Sequence, residues 1–411
     1  MFNGPGVNPI RHGIRIARCY AGVEAVSGDA AGHCSPETSA ARPFAGRASF
    51  PQPLRGAAML VTQQPVLRRF WYAIMPLHDL ESGPKPFTLL GEKLVLWKTP
   101  DGQPAALRDR CCHRTAQLSK GFVDAAGCIV CGYHGWTYDC GGNCVRIPQN
   151  PDMAIPAGAR VESFHCAARY GYAWVALEKP LAPIPDFPEE GAEGFRRVFQ
   201  FYERWATSPL RFMENAFDNS HFSYVHKANF GIFEQPQPSS YRIEATEDGF
   251  EAETLVPIRN PASGHRITGS TGEFTQRHLL NRWWLPFVRR FGCVYPESGL
   301  HHIIYNCATP IDDDHIMLAQ WLYRNDTEAD CSTQELIAWD RPIVDEDRDI
   351  LEATDPDACV DTRRRMEFHM QSDKPGLMMR KRLLELLHAH GEEEVFRSAA
   401  VKHFPIQPIP S

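Results

Sequence analysis

Several features are scarce in this chain of 411 residues. No apolar run approaches the roughly 20 residues needed to cross a bilayer, so a membrane span is not expected. The net charge is only −7, which argues against a nucleic-acid-binding surface. The cysteines number 13, an odd count scattered through a large chain. That excludes the disulfide framework of small secreted domains and leads us to expect reduced thiols in a cytoplasmic setting. There is no internal repeat and no glycine-rich dinucleotide loop. With 43% hydrophobic and 23% charged residues, the chain has the composition of a globular protein of two domains or one large one.

Periodicity is missing from the N-terminus. "GVEAVSGDAAGHCSPETSAARPFAGRASFPQPLRGAA" is rich in Ala, Gly, Ser and Pro and offers too little apolar surface to offset its ordering entropy. Residues 1–58 are therefore expected to form a disordered extension, or to reflect translation from too early a start, with Met59 opening the folded protein. Their six Arg, no Lys and three acids also fit a transit peptide.

From Val66 to about Leu177 the sequence changes to short apolar runs such as "FWYAIMPLHDL" and "YGYAWVALE", broken by Gly and Pro. These read as strands joined by tight turns, an all-β domain over 59–183. "EKPLAPIPDFPEEG" holds four prolines and reads as a linker, with a boundary near residue 184. Residues 184–411 read as an α+β domain, an antiparallel sheet with helices. "FRRVFQFYERWA" alternates like a strand, and "SPLRFMENAFDNSHF" reads as a helix capped by Ser208 with Pro209 in its first turn. Strands return over 241–325, and helices are predicted at about 340–354 and 376–390.

The densest chemistry lies between Arg110 and Asp139, "RCCHRTAQLSKGFVDAAGCIVCGYHGWTYD". Cys111 and His113 form C-x-H, Cys131 and His134 form C-x-x-H, and seventeen residues separate the two pairs. Two such loops facing each other supply two Cys and two His, the ligand set of a Rieske [2Fe–2S] cluster. A structural Cys2His2 zinc site needs the same four residues, although a C-x-H pair is unusual there. Cys128 and Cys131 also make a C-x-x-C, which fits a redox dithiol. Under the cluster reading Cys112 and Cys128 are bystanders.

A second constellation follows in "ENAFDNSHFSYVH". On one helix Glu214, Asp218 and His221 fall at i, i+4 and i+7, on a single face. His226 points elsewhere unless the helix kinks or ends. If it does, two imidazoles converge. Two His and one carboxylate on one face of an iron leave adjacent positions open for dioxygen and substrate. The carboxylate has to come from afar, and "DRPIVDEDRDILEATD" offers several. Asp347 has Ile343 and Val344 one turn before it and Ile350 and Leu351 one turn after. It is an acid inside an apolar stripe, which needs a partner. Asp345 and Asp349 fall off that stripe, and Asp340, ahead of Pro342, reads as an N-terminal cap.

"CCHRTAQLSKG" with "CGYHGWTYD" resembles the Rieske domain of non-haem iron ring-hydroxylating oxygenases, in their alpha subunits. The E-x3-D-x2-H-x4-H spacing resembles the same family, and "EDRDILEA" resembles the iron-ligand helix of its vanillate O-demethylase-like group. The resemblance implies a [2Fe–2S] cluster on Cys111, His113, Cys131 and His134, and a mononuclear Fe(II) on His221, His226 and Asp347. It implies that Asp218 bridges to a neighbouring subunit's cluster histidine, with Glu214 an acid behind the ligands. It further implies an oxygenase, mono- or di-, that uses O2 to hydroxylate or O-/N-demethylate a small aromatic or related substrate. The expected assembly is a homotrimer. Electrons are expected from a separate NAD(P)H-dependent reductase, with or without a ferredoxin, because this chain has neither a dinucleotide loop nor a C-x4-C-x2-C cluster motif. Two other classes stay open: a Rieske electron carrier without its own oxygenase site, and a zinc-stabilised binding scaffold. The pocket is expected within 225–325. The aromatics of "RWWLPFVRRFG" and "YPESGLHHIIYN" serve it or the core, and Arg282, Arg289 and Arg290 either hold a substrate carboxylate or form a solvated face.

Overall fold

The computed structural model describes residues 59–355 and 358–395. The extension expected over 1–58 lies outside the described residues.

Ten short strands come first: β1 (Tyr72–Pro76), β2 (Lys85–Leu89), β3 (Glu92–Lys98), β4 (Pro104–Arg108), β5 (Phe122–Val123), β6 (Ile129–Val130), β7 (Thr137–Tyr138), β8 (Cys144–Arg146), β9 (His165–Arg169) and β10 (Tyr172–Ala176). They form three antiparallel sheets, ordered β1-β10-β9, β2-β3-β4 and β5-β6-β7-β8. Two of the hairpins turn on Leu90–Gly91 and Tyr170–Gly171, both residues of each pair having positive φ. That conformation matches the twist of the flanking strands.

Seven longer strands make one antiparallel sheet: β11 (Arg196–Trp205), β12 (Arg242–Thr246), β13 (Gly249–Arg259), β14 (Phe274–Trp284), β15 (Val288–Tyr295), β16 (Leu300–Pro310) and β17 (Ile316–Arg324). Their order is β11-β17-β16-β15-β14-β13-β12. Five helices accompany it: α1 (Pro209–Phe217), α2 (Phe222–Val225), α3 (His265–Thr268), α4 (Thr333–Ala353) and α5 (Lys374–Ala389).

Strand alternation gives the large sheet two different faces. One face carries Tyr305, Cys307, Trp321 and Tyr323 and packs against Ala73, Tyr172 and Trp174 of β1 and β10. This contact explains why all five residues of β1 and of β10 are buried. Two side-chain bonds pin it: the Thr309 hydroxyl donates to the Ala73 carbonyl at 2.6 Å, and the Tyr202 hydroxyl to that of Ile74 at 2.7 Å. The proline-rich segment expected as a linker is fastened here too. Phe187 is buried between Tyr170 and Tyr305, at ring distances of 4.2 and 4.0 Å, a burial worth roughly 1.5–3 kcal/mol. The other face of the sheet is covered by α1, α2 and α4, and a cavity lies between them.

Two helix expectations change. Ser208 caps α1, its hydroxyl accepting from the Arg211 N–H, but α1 ends at Phe217 and Asp218 is extended. The chain therefore breaks before His221 and re-enters a single turn, α2. Helix α4 starts well before the predicted residue 340. A capping box between Ser332 and Glu335 sets its start, satisfying the free N–H groups of the first turn. Asp340 is thus no cap: it lies buried inside α4, held by Gln200 and by His302, whose Nε2 is 3.0 Å away. Pro342 is accommodated within the same helix.

Candidate active site

The cluster motif forms two matching loops. The Cys111 N–H donates to the Ala116 carbonyl and the Cys111 carbonyl accepts from Thr115; Cys131 does the same with Trp136 and Gly135. The residue four after each cysteine has positive φ, 60° at Thr115 and 72° at Gly135. Gly suits that position, whereas Thr, being β-branched, occupies it at a cost. The strands behind the loops approach closely: a Cβ on Gly121 would lie 1.8 Å from the Val130 carbonyl oxygen. Only glycine fits there.

The loops bring all four residues to one place. Cys111 and Cys131 are both buried, and burial raises the Cys131 thiol, with Cys111 beside it. The His113 and His134 rings are 4.7 Å apart, edge to face, and His113 stacks on Trp136 at 4.6 Å. His113 Nδ1 is buried without a hydrogen-bond partner. The Tyr138 hydroxyl lies 3.0 Å from the Cys111 sulfur. Cys112 is exposed and Cys128 is half-buried, and the eleven described cysteines are all free thiols.

The second group forms because α1 ends early. The loop after Asp218 lets His221 and His226 face each other, Nε2 to Nε2, at 3.1 Å. Helix α4 brings Asp347 to both, with Oδ1 3.5 Å from His221 Nε2 and 3.4 Å from His226 Nε2. Among the described residues, these three form the one cluster of His, Cys, Asp or Glu with converging ligand atoms. Asp345 and Asp349 are exposed, as their register on α4 requires. The apolar stripe beside Asp347 is less complete than the sequence suggests: Val344 and Leu351 are buried but Ile350 is exposed.

Each imidazole is oriented from behind. His226 Nδ1 is 2.8 Å from Glu346 Oε2, which also accepts from the Asn229 amide. His221 Nδ1 faces Asp218 Oδ2 at 3.4 Å, and Asp218 itself accepts from the Ser220 N–H. A carboxylate behind Nδ1 keeps the proton there and leaves the Nε2 lone pair free. Burial acts to raise the Asp347 carboxyl, but the bond and charge of His226 and the charge of His221 outweigh it and hold it below the ordinary value. Glu346 and Asn215, whose amide is 3.4 Å from Asp347, went unnoticed in the sequence. Neither shows a spacing that sets it apart.

Glu214 is not brought to this group. It faces α5, paired with Arg380 and Arg211, and Arg380 and Arg211 also pair with Glu367. The helical face expected to join it to Asp218 and His221 does not exist, because α1 stops between them.

The cavity is lined by apolar and polar side chains together. The triad stands at its wall with Phe222, Phe230 and Trp205, and the sheet contributes Phe291, Ile304 and Leu318. The arginines divide. Arg282 pairs with Asp248 and Glu251, and Arg290 with Glu189, away from the triad. Arg289 lines the cavity, as does Arg277, an arginine that no motif in the sequence marks out.

Residues 70–165 match the family model of the Rieske [2Fe-2S] domain, and residues 205–389 that of the vanillate O-demethylase oxygenase C-terminal domain. Methylxanthine N1-demethylase NdmA of Pseudomonas putida is 30% identical over 358 residues, covering 83% of this chain and 95% of the relative. The chain belongs to the Rieske non-haem iron oxygenases. This oxygenase is also similar to the 5,5'-dehydrodivanillate O-demethylase oxygenase subunit of a Sphingobium species, 28% identical over 290 residues, 68% of this chain and 64% of the relative. The solved structure of NdmA with caffeine matches it with a TM-score of 0.70 at 27% identity, over 80% of this chain and 94% of that one. A Rieske oxygenase carries a [2Fe–2S] cluster and a mononuclear iron, and the residues present fit both. Two facing Nε2 atoms beside a carboxylate oxygen suit a cation, and two buried neighbouring thiols with an orphaned His113 Nδ1 suit a cluster.

Proposed function

We propose that this Rieske oxygenase hydroxylates, or O- or N-demethylates, a small aromatic or related organic substrate held in the cavity. One observation carries the reading: the Nε2 atoms of His221 and His226 and Oδ1 of Asp347 converge at the wall of a largely apolar cavity. In this reading Cys111, His113, Cys131 and His134 hold the cluster within a domain over 59–183, and His221, His226 and Asp347 hold the iron within a domain over 184–411. When bound, the cluster supplies electrons singly and the iron supplies dioxygen activation. The protein's own residues do the rest. Glu346 and Asp218 keep the two imidazoles turned inward, and the aromatic walls orient a ring and exclude water. A methyl group on oxygen or nitrogen, once hydroxylated, leaves as formaldehyde; a ring position keeps its hydroxyl.

Partners follow from the same reading. A separate NAD(P)H-dependent reductase supplies electrons, since the chain shows no dinucleotide loop. Asp218 is partly exposed beside His221, which supports its role as the electron bridge to a neighbouring subunit in a head-to-tail homotrimer, a closed heterologous ring. Free thiols throughout the described cysteines favour a cytoplasmic setting, and among the described residues no helix is long and apolar enough to cross a membrane. The test is a single turnover. The protein is reduced anaerobically through a surrogate reductase, mixed with a panel of methoxy- and methyl-substituted aromatics, and given a pulse of oxygen. Formaldehyde or a hydroxylated ring is expected. A protein that holds iron and cluster but forms neither product from any member of the panel overturns the reading.

A further inference from the structure

The four arginines of β14 and β15 point to the substrate's charge. Strand alternation sends Arg282 and Arg290 to one side, where each has an acidic partner. Arg277 lies on the other side, in the buried phase of β14 between Thr275 and Leu279. It is only 5% exposed, yet it forms no ion pair among the described residues. Its Nε is buried without a hydrogen-bond partner; the Tyr295 hydroxyl and the Cys293 thiol lie beside it, and the charge of Asp340 acts on it from beyond ion-pair distance. A buried cation without a paired counter-charge is costly. The surroundings offset part of that cost through aromatic faces, with Phe230 centred 4.0 Å from the guanidinium carbon and Tyr295 5.9 Å away.

Position gives this charge a meaning. Arg277 lines the same cavity as the triad. The Phe230 ring that lies against the guanidinium also lies against His226, with 4.9 Å between the ring centres. The unpaired charge is therefore one aromatic ring away from the converging imidazoles. Asp347 engages both histidines and Asp340 engages His302 and Gln200; neither acid forms an ion pair with Arg277, although the Asp340 charge favours the guanidinium from a distance. Arg289 shares the orphaned Nε and the lack of an ion pair among the described residues, but it donates to the Asn306 side chain at 3.3 Å and the charge of Asp347 acts on it; burial lowers its guanidinium to about 10, which leaves it charged at neutral pH.

We propose that the substrate is an aromatic anion, a carboxylate or sulfonate, whose charged group is received by Arg277 while the carbon to be oxidised lies across the ring, at the triad. This rests on the oxygenase reading but goes beyond it, because neutral and anionic aromatics serve that reading equally. A guanidinium presents paired donors that match either oxyanion.

The experiment measures binding without turnover, so it does not depend on oxygen chemistry. Full-length protein with both metals is titrated calorimetrically, oxidised and anaerobic, with 4-methoxybenzoate against 4-methoxybenzamide and with 4-methylbenzenesulfonate against its sulfonamide. Each anion is expected to bind about tenfold tighter than its neutral counterpart, the scale of a charged hydrogen bond. Arg277→Gln should abolish that preference while leaving binding of the neutral probes in place, a split that mere loss of packing would not give. Arg290→Gln should keep the preference. The cluster absorption spectrum and the melting temperature verify the fold of each variant, and the wild-type comparison needs no variant at all. The proposal is overturned if no anion binds better than its neutral partner at millimolar concentration, or if the preference survives Arg277→Gln or disappears in Arg289→Gln alone. A protein that binds and demethylates the amides equally well would remain an oxygenase and would sink only this proposal.

Discussion

The four residues proposed to hold the cluster come from two loops only twenty residues apart, whereas the three residues converging at the cavity come from segments some 120 residues apart. The loops are self-contained. Each is closed by two backbone bonds within six residues, and a glycine lets their strands touch. The triad has no such local frame. His221 and His226 face each other because α1 stops, and Asp347 meets them because α4 packs across the same face of the sheet. Local spacing thus decides the first centre and tertiary packing the second. The first should fail by loss of a ligand, the second also by loss of alignment.

The largest effect is expected at the loops. Cys131→Ser puts a hydroxyl where a buried thiol stands beside Cys111, and a hydroxyl is a poor ligand for a cluster of this kind. Acid-labile sulfide and the visible spectrum should disappear while the cavity still takes up iron. Full sulfide content in this variant would remove Cys131 from the assignment. Asp347→Ala makes the reciprocal test. Mononuclear iron should be lost and the cluster spectrum kept. Asp345→Ala and Asp349→Ala, both at exposed positions, should retain iron near the wild-type level. Loss from either of these, with Asp347→Ala unaffected, would mean that another face of α4 supplies the ligand.

Asp218→Asn probes the proposed bridge between the two centres. The change keeps the size and the Ser220 contact but removes the charge behind His221. Both metals should stay bound, while turnover and the single-turnover oxidation of the cluster slow together by orders of magnitude. Normal turnover would place the bridge elsewhere. A smaller effect is expected at Glu346, which lies behind His226 in the same way. Glu346→Gln should weaken iron binding about 10- to 100-fold, as changes behind a ligating histidine do, measurable by competition with a chelator.

The same contrast explains what could be read from the sequence. The cluster loops were legible because their chemistry is written in consecutive residues. The split into many short strands followed by longer strands and helices was legible from turn residues and alternation. The meeting of Asp347 with the two histidines was legible from an acid set among apolar neighbours on a helix, although Ile350 of that stripe is exposed. Three things were not. The end of α1 after Phe217 has no Gly or Pro to announce it. The start of α4 was placed too late because Pro342 looks like a first-turn proline, while the true cap, Ser332, lies ten residues earlier. Arg277 was hidden because an arginine within a strand reads as solvated until the buried phase of that strand is known.

The smallest expected effect concerns Glu214, and it separates site from scaffold. On a single continuous helix Glu214 would share a face with Asp218 and His221. In the structure it belongs to a group with Arg380, Arg211 and Glu367 that ties α1 to α5. Glu214→Gln should therefore leave iron content near wild type and lower stability by about 1–3 kcal/mol, the scale of a partly buried charged hydrogen bond. Glu367 gives the pH dependence of the same group. Burial acts to raise its carboxyl, but Arg211 and Arg380 outweigh that and hold it below the ordinary value. A carboxylate whose folded pKa is depressed stabilises fully above its unfolded pKa of about 4.3, and loses that contribution as the pH falls through the lower folded value. Urea denaturation of wild type and Glu367→Gln should show a gap at neutral pH that closes on acidification below about pH 4. If Glu214→Gln instead lost iron at unchanged stability, Glu214 would belong with the triad rather than with the ion pairs that join α1 to α5.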